Sequence, residues 1–344
     1  MINIDIYNNK KFADAVFEGG GVKGIGLVGA LKSFEDNGYC WRNLSGTSAG
    51  SIVAALVAVG LSAEEIKKLM LKLDYNKIAD KNHFSIPIIS TTFNLLFKKG
   101  IFKGDYLKNW IDEVLSNKLK FTNKKKVTFG DLIIPGETGT LLNDNKYKRK
   151  YKLHIIATDI SLGKMLILPE DIAEYGISPD ELEVSLAIRM SISIPYFFQP
   201  VNLNNTITNK KSFIVDGGVL SNYPVWIFDV NGIPRFPTIG FKLGAGKELR
   251  QHKITNTLNF TKSIIETMLE AQDDVHIKEM DYLRTVKIDT LNIKTTDFNI
   301  KSKSIIDLYN SGEACGKEFL KNFEINYKRH KLLRIIPLNS HIIP

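Results

Sequence analysis

The chain has 344 residues, of which 44% are hydrophobic and 24% charged, so it has the length and composition of a globular protein with a large core. Its two cysteines, Cys40 and Cys315, exclude the disulfide-rich secreted class, and the composition suits a reducing compartment. The net charge is +9, because Lys and Arg number 46 against 37 for Asp and Glu.

The basic excess is concentrated in three clusters, at 118–126, 146–152 and 328–334. Such clusters attract nucleic acids and anionic lipids alike, although a Lys- and Asn-rich bias also produces them as solvated surface. No zinc-type Cys/His spacing, recognition-helix pattern or aromatic-interleaved basic groove accompanies them. We therefore expect no nucleic-acid partner.

The N-terminus lacks the basic and apolar segments of a signal peptide. The longest apolar run, at 52–61, is shorter than the roughly 20 residues that cross a bilayer, and it indicates a buried helix. We expect a cytoplasmic or peripheral membrane location. Secretion by a route that needs no signal peptide stays an alternative.

Strand and helix patterns alternate from the beginning of the chain. The predicted elements of the first part are strands at 13–18 and 40–45 and helices at 24–37, 49–60, 63–73 and 105–117, the last with Asp105 as its N-cap. Between the last two helices, residues 83–102 are apolar and aromatic and are interrupted by Pro87. This segment fits a lid over a site, a surface that seeks an interface, or ordinary buried packing.

The alternation continues to the end of the chain. The predicted elements are strands at 151–160, 165–172 and 237–243, a strand and turn at 212–225, and helices at 180–191, 254–273 and 303–322. This order predicts an α/β fold with a mostly parallel central sheet. Functional residues of such sheets lie at the carboxyl ends of the strands, where three glycine-rich turns fall.

The first turn lies in VFEGGGVKGIGLVGAL, residues 16–31, between a strand and a helix. Glycines at such a junction let backbone N–H groups converge on a negative charge. The charge is either the phosphate of a nucleotide or an oxyanion that exists only during a reaction.

The second turn, NLSGTSAGSIVAAL, contains G-x-S-x-G formed by Gly46, Ser48 and Gly50. A nucleophilic serine projects from a tight strand-to-helix corner, where small flanking residues relieve crowding. The positive end of the following helix also favours an adjacent oxyanion. Ser48 is therefore a candidate nucleophile, and a chance run of small residues at a helix start is the alternative.

The third turn lies in FIVDGGVLSN, where Asp216 ends an apolar strand before Gly217 and Gly218. A carboxylate at that position can accept the proton of a serine hydroxyl. An ordinary Asp-Gly turn is the alternative.

Other uses of these motifs fit less well. Gly19, Gly21 and Gly24 match the dinucleotide-binding pattern, but the following strand ends in the serine turn without a carboxylate for a ribose. A Walker-type phosphate loop does not fit either, because no Gly-Lys-Ser/Thr follows the first glycine after the required four-residue gap. A triad would need a later histidine, and the candidates by order have neither a glycine-rich nor a strand-end context: His252, His276, His330 and His341. The first turn and Ser48 are one strand–helix–strand unit apart, which predicts an oxyanion hole beside the serine.

Together the three turns resemble those of the patatin-like phospholipases, a family of lipid acyl hydrolases. The resemblance extends from about residue 12 to about residue 323 and includes GIFKGDYLKNWIDEVL, IIATDISLGK and LAIRMSISIPYFFQPV. It implies the following site: Ser48 as nucleophile and Asp216 as proton acceptor; an oxyanion hole of Gly19, Gly20, Gly21, Val22, Lys23 and Gly24; a nucleophile turn of Gly46, Thr47, Ala49 and Gly50; and an acid turn of Gly217 and Gly218.

The resemblance also implies a three-layer α/β/α fold, with helices on both sides of the sheet, and a Ser–Asp dyad that needs no metal and no cofactor. The expected reaction is hydrolysis of fatty-acyl esters, of the calcium-independent phospholipase A or lysophospholipase type, on phospholipid or another acyl lipid at a membrane surface. Acyl transfer by the same dyad and a non-catalytic lipid- or nucleotide-binding protein remain alternatives. Some members of the family need an activating partner, so the resemblance leaves open whether this protein also needs one.

The expected domain organisation is a catalytic domain at 1–323, with an insertion at 135–150, and a basic and apolar tail at 324–344. The tail fits a peripheral membrane segment, and a strand or a disordered end fits equally. Two positions depart from the family pattern: Glu18 stands where many relatives have Asp or Ser, and Lys23 where Arg is usual. Lysine keeps the charge but loses the bidentate fork of arginine.

Overall fold

A mostly parallel sheet organises the chain in the computed structural model. The residues that the structure describes are 4–5, 10–78, 99–121, 126–135, 150–244, 254–255, 260, 263–264, 267–268, 278–291, 293–295, 297 and 299–335. Most of the predicted segment 83–102, the insertion at 135–150 and the helix at 254–273 therefore lies outside the described residues.

The strands are β1 (Ile4–Asp5), β2 (Lys10–Phe17), β3 (Tyr39–Thr47), β4 (Gly100–Phe102), β5 (Leu153–Asp159), β6 (Lys164–Leu168), β7 (Tyr196–Phe198), β8 (Val201–Asn205), β9 (Lys210–Asp216), β10 (Thr238–Leu243) and β11 (Thr285–Ile288). The path of the central sheet is β11-β10-β2-β3-β5-β9-β8, with β1 on β2 and β6 on β5. Its first five strands are parallel, and β9 and β8 are added antiparallel. Strands β4 and β7 form a separate pair.

The helices around the sheet are α1 (Gly24–Asp36), α2 (Ala49–Ala58), α3 (Ala63–Lys72), α4 (Tyr75–Ile78), α5 (Asp105–Lys118), α6 (Val184–Ser191), α7 (Glu279–Tyr282) and α8 (Ser302–Ile335). A mostly parallel central sheet with helices around it confirms the predicted fold class. Among the helices that the structure describes, none combines the length and apolarity of a bilayer-spanning segment.

Alternation along β2 divides the core between the two faces of the sheet. Ala15 and Phe17 join a large cluster with the apolar residues of the helices. Val16 points the other way and packs in a smaller cluster with Ile156 and residues 223–228. Because both faces of β2 are covered, its carboxyl end is held firmly where the glycine-rich turn begins.

Helices α1 and α8 cross at a distance that only glycine permits. A Cβ atom on Gly29 would lie 1.9 Å from the carbonyl oxygen of Tyr309, and one on Gly312 would lie 2.0 Å from that of Gly26. Backbone cannot yield at such distances, so these glycines allow the two helices to pack in direct contact.

Helix α8 corrects the predicted end of the last helix, because it extends from 322 to Ile335 and takes in much of the predicted tail. Tyr327 and His330 are buried in this extension. Arg334 contacts Asp229 at 3.1 Å, and Asp229 in turn pairs with the buried Arg284 at 2.6 Å. These contacts, and not local sequence preference, hold the end of the helix on the body of the fold.

One predicted helix cap was also wrong. Asp105 is the first residue of α5 and not its N-cap, which is Gly104 with a left-handed φ of 75°. Strands β4, β7, β8 and β11 were not predicted, and they are short and in part exposed.

Candidate active site

Ser48 occupies the corner between β3 and α2, at the carboxyl edge of the sheet. It is 6% exposed, and its backbone has φ 51° and ψ −124°. A non-glycine residue with positive φ is strained, and such strain is stored where the surrounding structure forces it. The strand–turn–helix context that the G-x-S-x-G pattern predicted is therefore present.

The two glycines of the nucleophile turn stand where no side chain fits. A Cβ atom on Gly46 would lie 2.2 Å from the carbonyl oxygen of Gly50. One on Gly50 would lie 2.2 Å from the carbonyl oxygen of Phe17, at the end of β2. The sharp corner at Ser48 thus depends on both glycines.

Hydrogen bonds fix both backbone groups of Ser48. Its N–H donates to the hydroxyl oxygen of Ser191 at 2.8 Å, and that hydroxyl donates to the carbonyl oxygen of Ile156 at 2.6 Å. The carbonyl oxygen of Ser48 accepts from the N–H of Ser51 at 2.9 Å and from its hydroxyl at 2.6 Å. Ser191 is fully buried at the end of α6, so the strained residue is tied to a rigid part of the fold.

Asp216 ends β9 at the same level of the sheet as Ser48. It pairs with Ala157 of β5, while Thr47 pairs with the preceding Ile156. Strand β5 therefore separates the two strands, whose backbones are about 10 Å apart at normal strand spacing. Side chains that lean over the end of β5 from both sides can meet.

Asp216 is buried, with 1% of its surface exposed to solvent. Its Oδ1 accepts from the N–H of Gly218 at 2.8 Å. Burial raises the pKa of Asp216 to about 7, and the Ser48 hydroxyl and the Gly218 N–H oppose this with smaller lowering effects. A buried carboxyl with this pKa can accept a proton near neutral pH, which an ordinary aspartate does poorly.

The Ser48 hydroxyl lies close enough to the Asp216 carboxyl to lower its pKa. Oδ2 of this carboxyl has no hydrogen-bond partner among the described atoms. The two side chains therefore lie near one another, and one carboxyl oxygen is left without a donor.

The glycine-rich turn lies beside Ser48 and is tied to the acid turn. A Cβ atom on Gly19 would lie 3.1 Å from the Cβ of Ser48. The N–H of Gly19 donates to the carbonyl oxygen of Asn222 at 3.1 Å, and the Asn222 side chain returns a bond to the Gly19 carbonyl at 3.3 Å. The Thr47 hydroxyl donates to the carbonyl oxygen of Ser221 at 3.0 Å. The three predicted turns thus form one unit.

The backbone N–H groups of the turn differ in their availability. Those of Gly19, Val22, Lys23 and Gly24 donate to the carbonyl oxygens of Asn222, Thr295, Gly20 and Gly21. Those of Gly20, Gly21 and Ala49 have no acceptor among the residues that the structure describes. These three N–H groups are therefore the candidate donors to an anion next to Ser48.

The end of β2 is braced against β10 directly before the turn. Glu18 is buried, and its carboxylate accepts from Lys242 Nζ at 2.9 Å and from the N–H of Leu243. Since a glutamate reaches farther than an aspartate, the unusual residue at position 18 fits this cross-strand bond. The chain turns away from the sheet at Gly19 with its starting point fixed.

An apolar cleft opens next to Ser48, with about 590 Å³ of empty space including its mouth. The apolar side chains that line it include Ile52, Met70, Leu73, Leu107, Trp110, Ile192 and Phe198. Gly21, Ser48 and Ala49 form part of the same wall. An apolar cleft with a serine in its wall suits a ligand with an apolar part.

Of the four histidines considered for a triad, His330 is described, and its ring stacks on Tyr327 within α8. The other three lie outside the described residues. Among the described residues, no group of three or more His, Cys, Asp or Glu side chains is arranged to hold a metal.

Sequence reasoning missed Ser191 and Asn222 as parts of this site. Both lie in stretches that carried the family resemblance, LAIRMSISIPYFFQPV and FIVDGGVLSN, but nothing in those stretches shows which backbone groups the side chains reach. Their contacts join segments more than a hundred residues apart.

Comparison with known proteins is consistent with this geometry. The patatin-like phospholipase family profile matches residues 15–229. The uncharacterized protein YqhO of Bacillus subtilis is 34% identical over 314 residues, which cover 91% of this chain and 99% of that protein. The probable lipid hydrolase 463L of Invertebrate iridescent virus 6 is 26% identical over 216 residues, 63% of each chain.

Among solved structures, VipD from Legionella pneumophila is similar, with a TM-score of 0.51 at 18% sequence identity. The match covers 90% of this chain and 67% of VipD. At this level of identity the likeness concerns the fold alone.

Proposed function

Since this chain belongs to the patatin-like phospholipase family, we propose that it hydrolyses fatty-acyl esters of lipids, with Ser48 as nucleophile and Asp216 as base. The observation that carries the proposal is the buried Asp216 carboxyl, with a pKa near 7, in close contact with the strained Ser48. A turn without a catalytic role has no need of either feature.

In the first half of the reaction, Asp216 takes the hydroxyl proton of Ser48 while Oγ attacks the ester carbonyl. The oxyanion that forms faces the open N–H groups of Gly20, Gly21 and Ala49, at the positive end of α2. One such donor is worth roughly 3 kcal/mol of transition-state stabilisation in other hydrolases. Asp216 then gives its proton to the departing alcohol oxygen, and the acyl group stays on Ser48.

In the second half, a water molecule replaces the alcohol and loses a proton to Asp216 as it attacks the acyl-serine. Collapse of the second oxyanion breaks the bond to Oγ, which recovers its proton from Asp216. The fatty acid leaves through the apolar cleft that held its hydrocarbon chain, and the enzyme returns to its starting state.

The deciding experiment combines a fluorophosphonate probe with product analysis on phospholipid vesicles. We expect the probe to label Ser48 and the wild-type protein to release fatty acid, and Ser48→Ala to abolish both. Ser45→Ala is the matched control, because the buried Ser45 hydroxyl has no hydrogen-bond partner among the described atoms and its loss should leave labelling intact.

Three results would contradict parts of the proposal. Absence of labelling in the presence of lipid would favour a binding protein of the same fold. Full release of fatty acid by Asp216→Asn would remove Asp216 from the reaction. A new ester in place of free fatty acid, when an alcohol acceptor is supplied, would identify an acyltransferase that uses the same acyl-serine.

A further inference from the structure

A patch of exposed apolar and basic side chains lies at the same edge of the sheet as Ser48. Its apolar members include Ile160 and Leu162, at the tip of the β5–β6 hairpin, and Tyr196, which are 51%, 62% and 48% exposed. We call this surface the hairpin patch and define it as Lys99, Ile160, Leu162, Tyr196, Lys211 and Phe213.

The hairpin patch is continuous through Phe213. The carbonyl oxygen of Phe213 accepts from the N–H of Ile160 at 3.1 Å, and its N–H donates to the hydroxyl of Ser161 at 2.9 Å. Lys99 Nζ lies 4.7 Å from the centre of the Phe213 ring. The residue after Lys99, Gly100, pairs with Tyr196 across β4 and β7, which brings the tyrosine into the same surface.

The shape of the hairpin tip is set from inside the protein. The Asp159 carboxylate is fully buried, and its Oδ1 accepts from the N–H groups of Ser161 at 2.7 Å and Leu162 at 3.2 Å. Its Oδ2 accepts from the Tyr175 hydroxyl at 2.6 Å. These bonds hold the turn while the side chains of Ile160 and Leu162 project outward.

The charge of the hairpin patch is positive. Lys99 and Lys211 are exposed, and neither pairs with a carboxylate that the structure describes. Lys211 Nζ also lies over the Phe213 ring, at 5.5 Å. The exposed carboxylate of Glu174 is paired with Lys164, the first residue of β6. Apolar tips next to unpaired cations complement an anionic lipid surface, where hydrocarbon lies below a layer of phosphate.

We propose that the hairpin patch docks the protein on bilayers that contain anionic phospholipid, with Ile160 and Leu162 inserted and Lys99 and Lys211 at the headgroups. Phe213 lies three residues before Asp216 on β9, so the patch is about 10 Å from the candidate site along the strand. Docking there brings ester groups to the site. The delivery of ester groups rests on the proposed function, whereas the binding of the patch to the bilayer does not.

The test measures sedimentation with vesicles in a Ser48→Ala background, so that turnover plays no part. The vesicles contain three parts phosphatidylcholine to one part phosphatidylglycerol, or phosphatidylcholine alone. The variants are Ile160→Ser with Leu162→Ser, and Lys99→Gln with Lys211→Gln. The matched control is Ile325→Ser with Lys328→Gln, on α8, where Ile325 is 68% exposed.

We expect the lysine variant to bind anionic vesicles about 25-fold more weakly, from about fivefold for each lysine, and this loss to shrink in high salt. We expect the apolar variant to bind at least about tenfold more weakly than the Ser48→Ala parent, and the control to bind as the parent does. Equal binding to the two kinds of vesicle, or an equal loss in the control, would overturn the proposal.

Activity separates the two proposals. In the active protein, both patch variants should lose at least tenfold more activity on anionic vesicles than on a short, monomeric ester in solution. An equal loss on both substrates would contradict a docking role. If the parent binds vesicles through the patch but hydrolyses neither substrate, the proposed function fails while the docking surface stands.

Discussion

Replacement of Asp216 by asparagine should stabilise the protein, and increasingly so as the pH rises. The carboxyl has a pKa of about 7 in the folded protein against an ordinary value of 3.8, because burial disfavours its charged form. Asparagine keeps an oxygen for the Gly218 N–H but carries no charge, so it avoids the desolvation that raises the pKa of the aspartate.

The magnitude follows from proton linkage. Between about pH 4 and pH 7 the folded protein binds a proton that the unfolded chain has released, so the free energy of unfolding falls as the pH rises. At about 1.36 kcal/mol for each tenfold change in proton affinity, the full effect above pH 7 is about 4 kcal/mol. The free energy of unfolding of Asp216→Asn should therefore exceed that of wild type by up to this amount at about pH 8, and the difference should shrink towards zero near pH 4.

The assay is urea-induced unfolding followed by tryptophan fluorescence at several pH values between about pH 5 and pH 8. Asp159→Asn is the matched control, because this buried carboxylate accepts three hydrogen bonds and its neutralisation should destabilise the protein. A stability difference between Asp216→Asn and wild type that is the same at both ends of this pH range would refute the reasoning.

Three further predictions concern the same site. The kcat/KM for a soluble ester should fall about tenfold for each pH unit below about pH 7, because the reaction needs Asp216 in its charged form, and a flat pH profile would argue against this base. The free energy of unfolding of Ser48→Gly, measured with urea, should exceed that of Ser48→Ala by about 1–2 kcal/mol, because glycine adopts positive φ without strain; equal stabilities would contradict a strained corner. Ser191→Ala should slow fluorophosphonate labelling of Ser48 at least tenfold, with less than a twofold change in KM, because it leaves the Ser48 N–H without its acceptor; restored labelling in Ser191→Thr would tie the effect to the hydroxyl.

The parallel strands and their helices were predictable because local signals and tertiary structure agree in this part of the chain. Helix α3 begins after Ser62, whose hydroxyl and Glu65 form a capping box, and α2 begins after the serine turn. The observed bounds of α1, Gly24–Asp36, differ by one residue from the predicted end. Hydrophobic runs bounded by glycine are sufficient for such elements.

The length of α8 was not predictable in the same way. Gly312 and Gly316 weaken the local preference for a helix, and the region after 322 is rich in charge. The helix continues because Gly312 meets the backbone of α1 and because Arg334 reaches Asp229. Both contacts join segments that are distant in the chain, so sequence pattern alone carries no sign of them.

The candidate site was predicted as a set of turns but not as a network. Ordered motifs at the carboxyl ends of parallel strands are enough to expect Ser48 and Asp216 near one another, with the glycine-rich turn beside them. The availability of each N–H group depends on acceptors such as Thr295, whose carbonyl occupies the Val22 amide. That distinction between neighbouring residues requires coordinates.

Local stability and the proposed chemistry favour different residues at the two central positions. Glycine at 48 would relieve the positive φ, and asparagine at 216 would relieve the buried charge, and both would leave the fold in place. The chain instead has a hydroxyl and a carboxyl there, held by Ser191 on one side and Gly218 on the other. Residues that oppose stability at two neighbouring positions, each supported by its own hydrogen bond, fit the proposed roles of nucleophile and base.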